Sequence, residues 1–231
     1  MRHRLLVIGG SDQGRQVLDA LEAIGDHDVV GILDRDLAQD ADVAGFPVVG
    51  RDDELVRCVE THGATGFMVA IGDNFTRRLV HRRTLSMCPS LEPVSVVHPA
   101  AVVSRSATVG GGSLILAGSV VSNHCVVGDG VLLGTRSSID HDNQLASFAS
   151  LAPGATTAGR VRIGECTALG IGASIVHGVV VGEHTVIGAA SLVLNDLPGE
   201  VVAYGVPAAV ARTREPSDPY LAIALPTRRP T

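Results

Sequence analysis

The chain has 231 residues and a formal net charge of -6, with 45% hydrophobic and 18% charged residues, so it is globular and long enough for one large domain or two small ones. It carries no basic stripe of the kind a nucleic-acid binder presents, and no apolar run near the length of a membrane span. Aromatics make up only 3%, Trp is absent and Gly reaches 27, which points to many thin aliphatic layers in the core.

Arg4 to Ile8 (RLLVI) is a short apolar run suited to a buried parallel strand. Its flanking sequence is too short for a signal peptide, and the four cysteines show neither a CxxC pair nor a Cys/His zinc spacing. A reduced, cytoplasmic protein without a metal is expected. Gly9, Gly10 and Gly14 punctuate the turn after the strand, and Val17, Leu18, Leu21 and Ile24 follow at helical spacing. Val29 to Leu33 reads as a second strand ending at Asp34, and Phe67 to Ile71 as a third. Thr76 to Ser86 is predicted helical, with Arg77, Arg78, Arg82 and Arg83 as a solvated face. This alternation implies a Rossmann-like α/β domain over residues 1–92.

The period changes near Val94. From Val97, every sixth residue up to Val193 is aliphatic except Thr157. A second series four residues later is small almost throughout (Ala101, Ala107, Ser113, Ser119), and Gly often follows the aliphatic directly (Gly110, Gly128, Gly164). Such a period fits a chain wound into triangular coils, three hexads to a coil, with the aliphatic on the axis, the small residue near a corner and the Gly allowing the turn. The β-helix is expected over residues 93–212. Residues 213–231, with Pro216, Pro219, Pro226 and Pro230, form a Pro-rich, loosely packed tail.

The repeat resembles the hexapeptide signature of left-handed β-helix acyltransferases, and the hand of the winding is implied by that resemblance alone. With VIGGSDQGRQV, AIGDNFTRR and the run from HPAAVVS to YGVPAAVAR, nearly the whole chain resembles the sugar O- and N-acyltransferase family that includes sialic acid O-acetyltransferases and bacillosamine-pathway acetyltransferases. The resemblance implies an acetyl-CoA-dependent transferase, a homotrimer with sites between adjacent β-helices, and a sugar acceptor.

Acetyl transfer requires a base for the acceptor proton and donors for the developing oxyanion. Imidazole suits the base role near neutral pH. His141 lies two residues after the axial Ile139, beside Asp140 and Asp142, and should project outward. The family's catalytic histidine occupies a matching setting, which implies His141 as general base and Asp142 as its orienting carboxylate. Relatives often carry a second histidine nine residues on, near the thioester; here that position is Ser150. By resemblance the coenzyme would contact Ser150 and the backbone at Gly159, Ile171, Gly172 and Ala189. His124, His177 and His184 are read as structural or solvated, and Cys125 and Cys166 as packing residues.

In the first domain the loop Gly9–Gly14 precedes a helix N-terminus able to receive a phosphate, although it is not a full GxGxxG. Gly10, Ser11, Gln13, Asp34, Arg35, Asn74 and Arg77 are the candidate substrate residues, for a nucleotide-linked amino sugar. Three readings stay open beside this one. They are a non-sugar amine or hydroxyl acceptor, an inactive β-helix scaffold, and an NAD-dependent enzyme with an oligomerising β-helix.

Overall fold

The computed structural model describes residues 2–221. The first strand, β1, is Arg4–Ile8, followed by helix α1 at Asp12–Ile24 and strand β2 at Asp28–Leu33. A short hairpin of β3 (Asp42–Val43) and β4 (Phe46–Gly50) then leads to α2 (Leu55–His62), β5 (Gly66–Val69), α3 (Asn74–Met87) and β6 (Glu92–Pro93). They form one sheet in the order β3-β4-β2-β1-β5-β6, parallel apart from the β3–β4 hairpin. The strands at the centre are buried on both faces, with Leu5, Leu6, Val7 and Ile8 all inside, which explains their unbroken apolar run. The β3–β4 hairpin, α2 and β6 had no strong pattern in the sequence. Since β6 pairs with β5 at Gly66↔Glu92 and Phe67↔Pro93, the sheet extends one residue past position 92.

The second domain is a parallel β-helix of two-residue strands from Val96–Val97 to Leu192–Val193, arranged as three faces. Each strand pairs with the one a coil away, as in Val121↔Ile139 and Leu133↔Leu151. The axial residues Ile115, Leu133, Ile139, Leu151, Leu169 and Ile187 are completely or almost completely buried. Burying a side chain of this size contributes roughly 1.5–3 kcal/mol. The small series also points inward: Ser119, Ser137, Asn143, Ala155 and Thr167 are fully buried. Its polar members close onto main-chain carbonyls, as Ser119 Oγ does on Gly134 (2.9 Å) and Thr167 Oγ1 on Gly182 (2.6 Å).

The glycine after the axial residue has a different role from the one expected. A Cβ on Gly164 would lie 2.4 Å from the backbone nitrogen of Glu183; the glycine lets adjacent coils approach and does not make the turn. The turn is made two residues later, at a corner position that is left-handed on almost every hexad. Glycine takes it at Gly118, Gly130 and Gly154, but Arg136, Asp142, Phe148, Arg160, Cys166 and His184 take it too. Each non-glycine there costs roughly 1–2 kcal/mol. Corner N–H groups are tied to the coil before, as in Asp142 N–H to Asn123 O (3.0 Å) and Arg160 N–H to His141 O (2.9 Å).

Helix α3 lies along one corner column and joins the two domains. Arg77, expected on a solvated face, is 2% exposed. Its Nε donates to Gly130 O (2.9 Å), its Nη1 to Ile71 O and Gly72 O, and its Nη2 to Asn74 Oδ1 and Phe148 O. Asn74 Nδ2 donates in turn to the Cys166 and Thr167 carbonyls, both at 3.2 Å. Arg78 is also largely covered and meets Glu165 at 3.2 Å, while Arg82 and Arg83 are exposed. The four arginines therefore do not share one environment.

The chain closes with a hairpin of Val201–Gly205 and Ala208–Thr213 on the first face of the β-helix. Residues 214–221 then fold back over the molecule instead of packing loosely. Arg214 is buried and donates to His184 O (2.6 Å), and Tyr220 Oη reaches Gly72 O at 3.3 Å. Pro226 and Pro230 lie outside the described residues. No helix among the described residues is long and apolar enough to cross a membrane.

Replacing Arg77 by Ala removes five donors from buried carbonyl and amide acceptors. Urea unfolding is expected to show a loss on the order of 3 kcal/mol or more. Arg83→Ala, which loses only a loose exposed contact with Asp52, is expected to change stability by about 0.5 kcal/mol or less.

Candidate active site

His141 and Asp142 occupy the corner between the second and third faces. The His141 side chain is 38% exposed and its Nδ1 lies 2.8 Å from Asp142 Oδ2. This contact favours the tautomer with the proton on Nδ1, leaving Nε2 free to accept one. The hydrogen bond from His141 holds the Asp142 carboxyl below its ordinary range, with smaller help from Arg160, whose Nε is 3.8 Å away. The His141 main chain is fixed on both sides: its N–H meets Asp140 Oδ1 at 2.8 Å, and its carbonyl accepts from Arg160.

Gly159 lies one coil further, directly beneath the ring. A Cβ there would fall 2.4 Å from His141 Nε2, so glycine leaves the ring its space. His177 comes two coils on, its ring centroid 6.0 Å from that of His141. His141, Gly159 and His177 thus form one column, with the imidazole of His141 occupying the space over the glycine. No described carbonyl accepts a hydrogen bond from the Gly159 N–H.

A cavity of about 500 Å³ lies between the first face of the β-helix and the α/β domain. Ser150, Ile171 and Ala189 line it, and so does Gln13 from the start of α1. Gly172 forms the left-handed corner next to Ile171. Leu132, Ala168 and Val186 supply an apolar floor, and Tyr220 and Leu221 close one side. The two tail residues were missed because nothing in a Pro-rich segment marks where it lands. His141 does not line this cavity; within one chain the second face of the β-helix separates them.

A smaller cavity of about 250 Å³ sits at the carboxyl ends of β1 and β2, lined by Ser11, Asp34, Arg35, Asp36 and Asp52. This is where parallel sheets hold ligands. Gly14 is required here: a Cβ would meet Gly9 O at 2.4 Å, so the glycine lets α1 pack onto the loop. Asp12 is exposed and paired with Arg15. Two expectations need correction. Gly10 N–H already donates to Asp34 Oδ2 at 2.7 Å, and Asp34 Oδ1 accepts from Asp36 N–H and Leu37 N–H, so this pair braces the loop. Burial raises the Asp34 carboxyl, but those three N–H bonds and the Arg35 charge outweigh it and hold the group below its ordinary value. Asn74 and Arg77 spend their polar atoms on the domain contact and have none to offer a ligand.

Among the described residues, Glu165, Glu183 and His184 have spacing suited to a metal. The Arg78 guanidinium already lies 3.2 Å from Glu165 and 3.4 Å from His184, and Arg82 lies 2.7 Å from Glu165, so cationic charge fills that place.

The first domain matches the PglD N-terminal domain family over residues 4–84. The fold is similar to PerB from Caulobacter crescentus in complex with CoA and GDP-perosamine, with a TM-score of 0.84 and 37% identity over 89% of this chain and 96% of that one. The chain belongs to the hexapeptide-repeat sugar acyltransferases. The acetyltransferase domain of PglB from Neisseria gonorrhoeae, in complex with acetyl coenzyme A, is similar at TM-score 0.83 and 33% identity, over 89% and 98% of the two chains. GDP-perosamine N-acetyltransferase of Escherichia coli O157:H7 is 30% identical over 49% of this chain and 50% of its own length, and galactoside O-acetyltransferase of Lactococcus lactis 39% identical over 39% and 44%. The match thus spans about half the length of these two curated relatives. For an acyltransferase, a cysteine nucleophile finds no support: Cys125 and Cys166 are buried, and burial pushes the Cys166 thiol up to about 11.

Two outcomes follow from this geometry. Gly159→Ala is expected to displace the His141 ring, read as a change in its imidazole NMR resonances with little change elsewhere. Asp34, whose folded pKa is depressed, contributes stability that is complete above its unfolded value near ~3.9 and fades as pH falls through the folded value. The urea-unfolding penalty of Asp34→Asn is therefore expected to be constant near neutrality and to shrink below about pH 4.

Proposed function

We propose that the protein transfers an acetyl group from acetyl-CoA to the amino group of a nucleotide-linked amino sugar. His141 acts as general base and Asp142 holds its tautomer. The single observation that carries this reading is the His141–Asp142 pair at 2.8 Å on a part-exposed ring whose Nε2 sits over Gly159. The amine nitrogen attacks the thioester carbon while Nε2 removes its proton. The C–S bond then breaks and the coenzyme thiolate leaves, with the proton on His141 available to it. The Gly159 N–H, which has no carbonyl partner among the described residues, donates to the carbonyl oxygen as it gains charge.

The acceptor nucleotide fits the smaller cavity at the ends of β1 and β2, through Ser11 and Arg35. The coenzyme fits the larger one along Ser150, Ile171, Gly172 and Ala189. These sites and the His141 corner lie on different sides of one β-helix, so a second copy must supply the missing part; a homotrimer in the cytoplasm satisfies this. The relatives crystallised with CoA, acetyl coenzyme A and GDP-perosamine support the choice of substrates.

The test is release of free thiol from acetyl-CoA with GDP-, UDP- and dTDP-linked amino sugars and with free amino sugars. Turnover with a nucleotide-linked amine that falls at least about a hundredfold in His141→Ala supports the reading. Turnover that survives the substitution removes His141 as the base, and a preference for free sugars removes the nucleotide.

A further inference from the structure

Thr157 is the single non-aliphatic member of the axial series, and it is buried. Its Oγ1 donates to Asn143 Oδ1 at 3.0 Å, and Asn143 is itself fully buried. With the amide oxygen engaged, Nδ2 is directed to the carbonyls of Asp140 at 2.6 Å and Ala158 at 2.9 Å, with a longer contact to His141 O at 3.4 Å. The Asp140 and Ala158 carbonyls belong to consecutive coils. Asp140 immediately precedes His141, and Ala158 immediately precedes Gly159. Asn143 therefore ties the turn bearing the base to the residue beneath its ring.

That turn needs tying. Asp142 sits at φ 58°, a conformation that costs a non-glycine residue roughly 1–2 kcal/mol and persists only where the surroundings over-determine it. Elsewhere the equivalent of Asn143 is apolar, as at Ala149 and Ala155, or a small hydroxyl residue bonded only to the main chain, as at Ser113 and Thr167, and the equivalent of Thr157 is aliphatic, as at Leu151 and Ile163. Burying a hydroxyl and an amide costs desolvation that an aliphatic and an alanine avoid. The polar pair occurs under His141, where a fixed turn has a chemical use.

We propose that Thr157 and Asn143 are positioning residues, a buried pair that locks the Asp140–Asp142 turn so that His141 Nε2 stays over Gly159. The proposal rests on the reading of His141 as general base. Neither residue touches substrate; both act through the turn.

The experiment compares Thr157→Val, Asn143→Ala and the double variant with the wild type, measuring kcat, the KM for acetyl-CoA and unfolding in urea. Each single variant orphans a buried partner and is expected to lose stability. Each is also expected to lower kcat by about tenfold to a hundredfold, with the KM for acetyl-CoA unchanged because its contacts lie on other faces. The double variant removes the orphaned hydroxyl and amide oxygen together, so its stability loss is expected to be smaller than the sum of the two single losses while kcat stays low. Recovery of kcat along with stability in the double variant, or wild-type kcat in Thr157→Val, overturns the proposal. If His141→Ala keeps wild-type turnover in the same assay, the base itself is misassigned and the positioning role falls with it. Low kcat in the double variant beside an essential His141 supports both.

Discussion

The β-helix rests on one repeated main-chain interaction: the parallel hydrogen bonding of each strand to the strand one coil away, as in Leu114↔Leu132 and Ser138↔Thr156. This stacks the chain in columns, so every side chain has a fixed neighbour above and below. Space in a column is shared, and a large residue at one level demands a small one at the next. Phe148 packs against the Gly130 position and His141 over Gly159. The His141 ring and the glycine that makes room for it are two readings of the same column. The corners accept residues with unfavourable backbone angles because the coil before supplies an acceptor for nearly every corner N–H, a carbonyl in most cases and Ser106 Oγ for His124.

Much of this was visible in the sequence because the constraint is periodic. A six-residue series that holds register from Val97 to Val193 leaves few alternatives. The outward position of His141 beside Asp142 was legible through its offset from Ile139, while its role was implied by the family resemblance alone. The function of the glycines was not legible. Gly164 looks like a turn residue from its spacing, yet its need for glycine comes from Glu183 on the next coil, a contact that exists only once the chain is wound. Thr157 showed itself as a break in the series. Its partner Asn143 looked like one more small polar residue until the two were seen to bond.

The α/β domain was less legible for a related reason. Its central strands are apolar runs and declare themselves, but the β3–β4 hairpin is short and α2 spans only eight residues. Arg77, Arg78, Arg82 and Arg83 are chemically alike and helically spaced, so their sequence cannot distinguish a solvated arginine from a buried one. What separates them is the position of the carbonyls of Gly130 and Phe148, far along the chain. Tyr220 and Leu221 illustrate the same limit, since their place beside the large cavity depends on where the tail returns.

The way α3 grips the β-helix bears on how such proteins diversify. Arg77 and Asn74 bind across the domain boundary only to the main-chain carbonyls of Gly130, Phe148, Cys166 and Thr167. Any residue at those positions offers the same oxygen. These bonds impose little matching of side chains between the two halves, whereas the pairs of Arg78 and Arg82 with Glu165 and the His81 ring against Phe148 do require it. A different α/β domain with its own arginine and asparagine on the helix would meet the same oxygens on any β-helix of this kind, and would need only those few side chains matched. Exchange of one half for another is then limited by a handful of residues in one corner column and not by the whole contact surface.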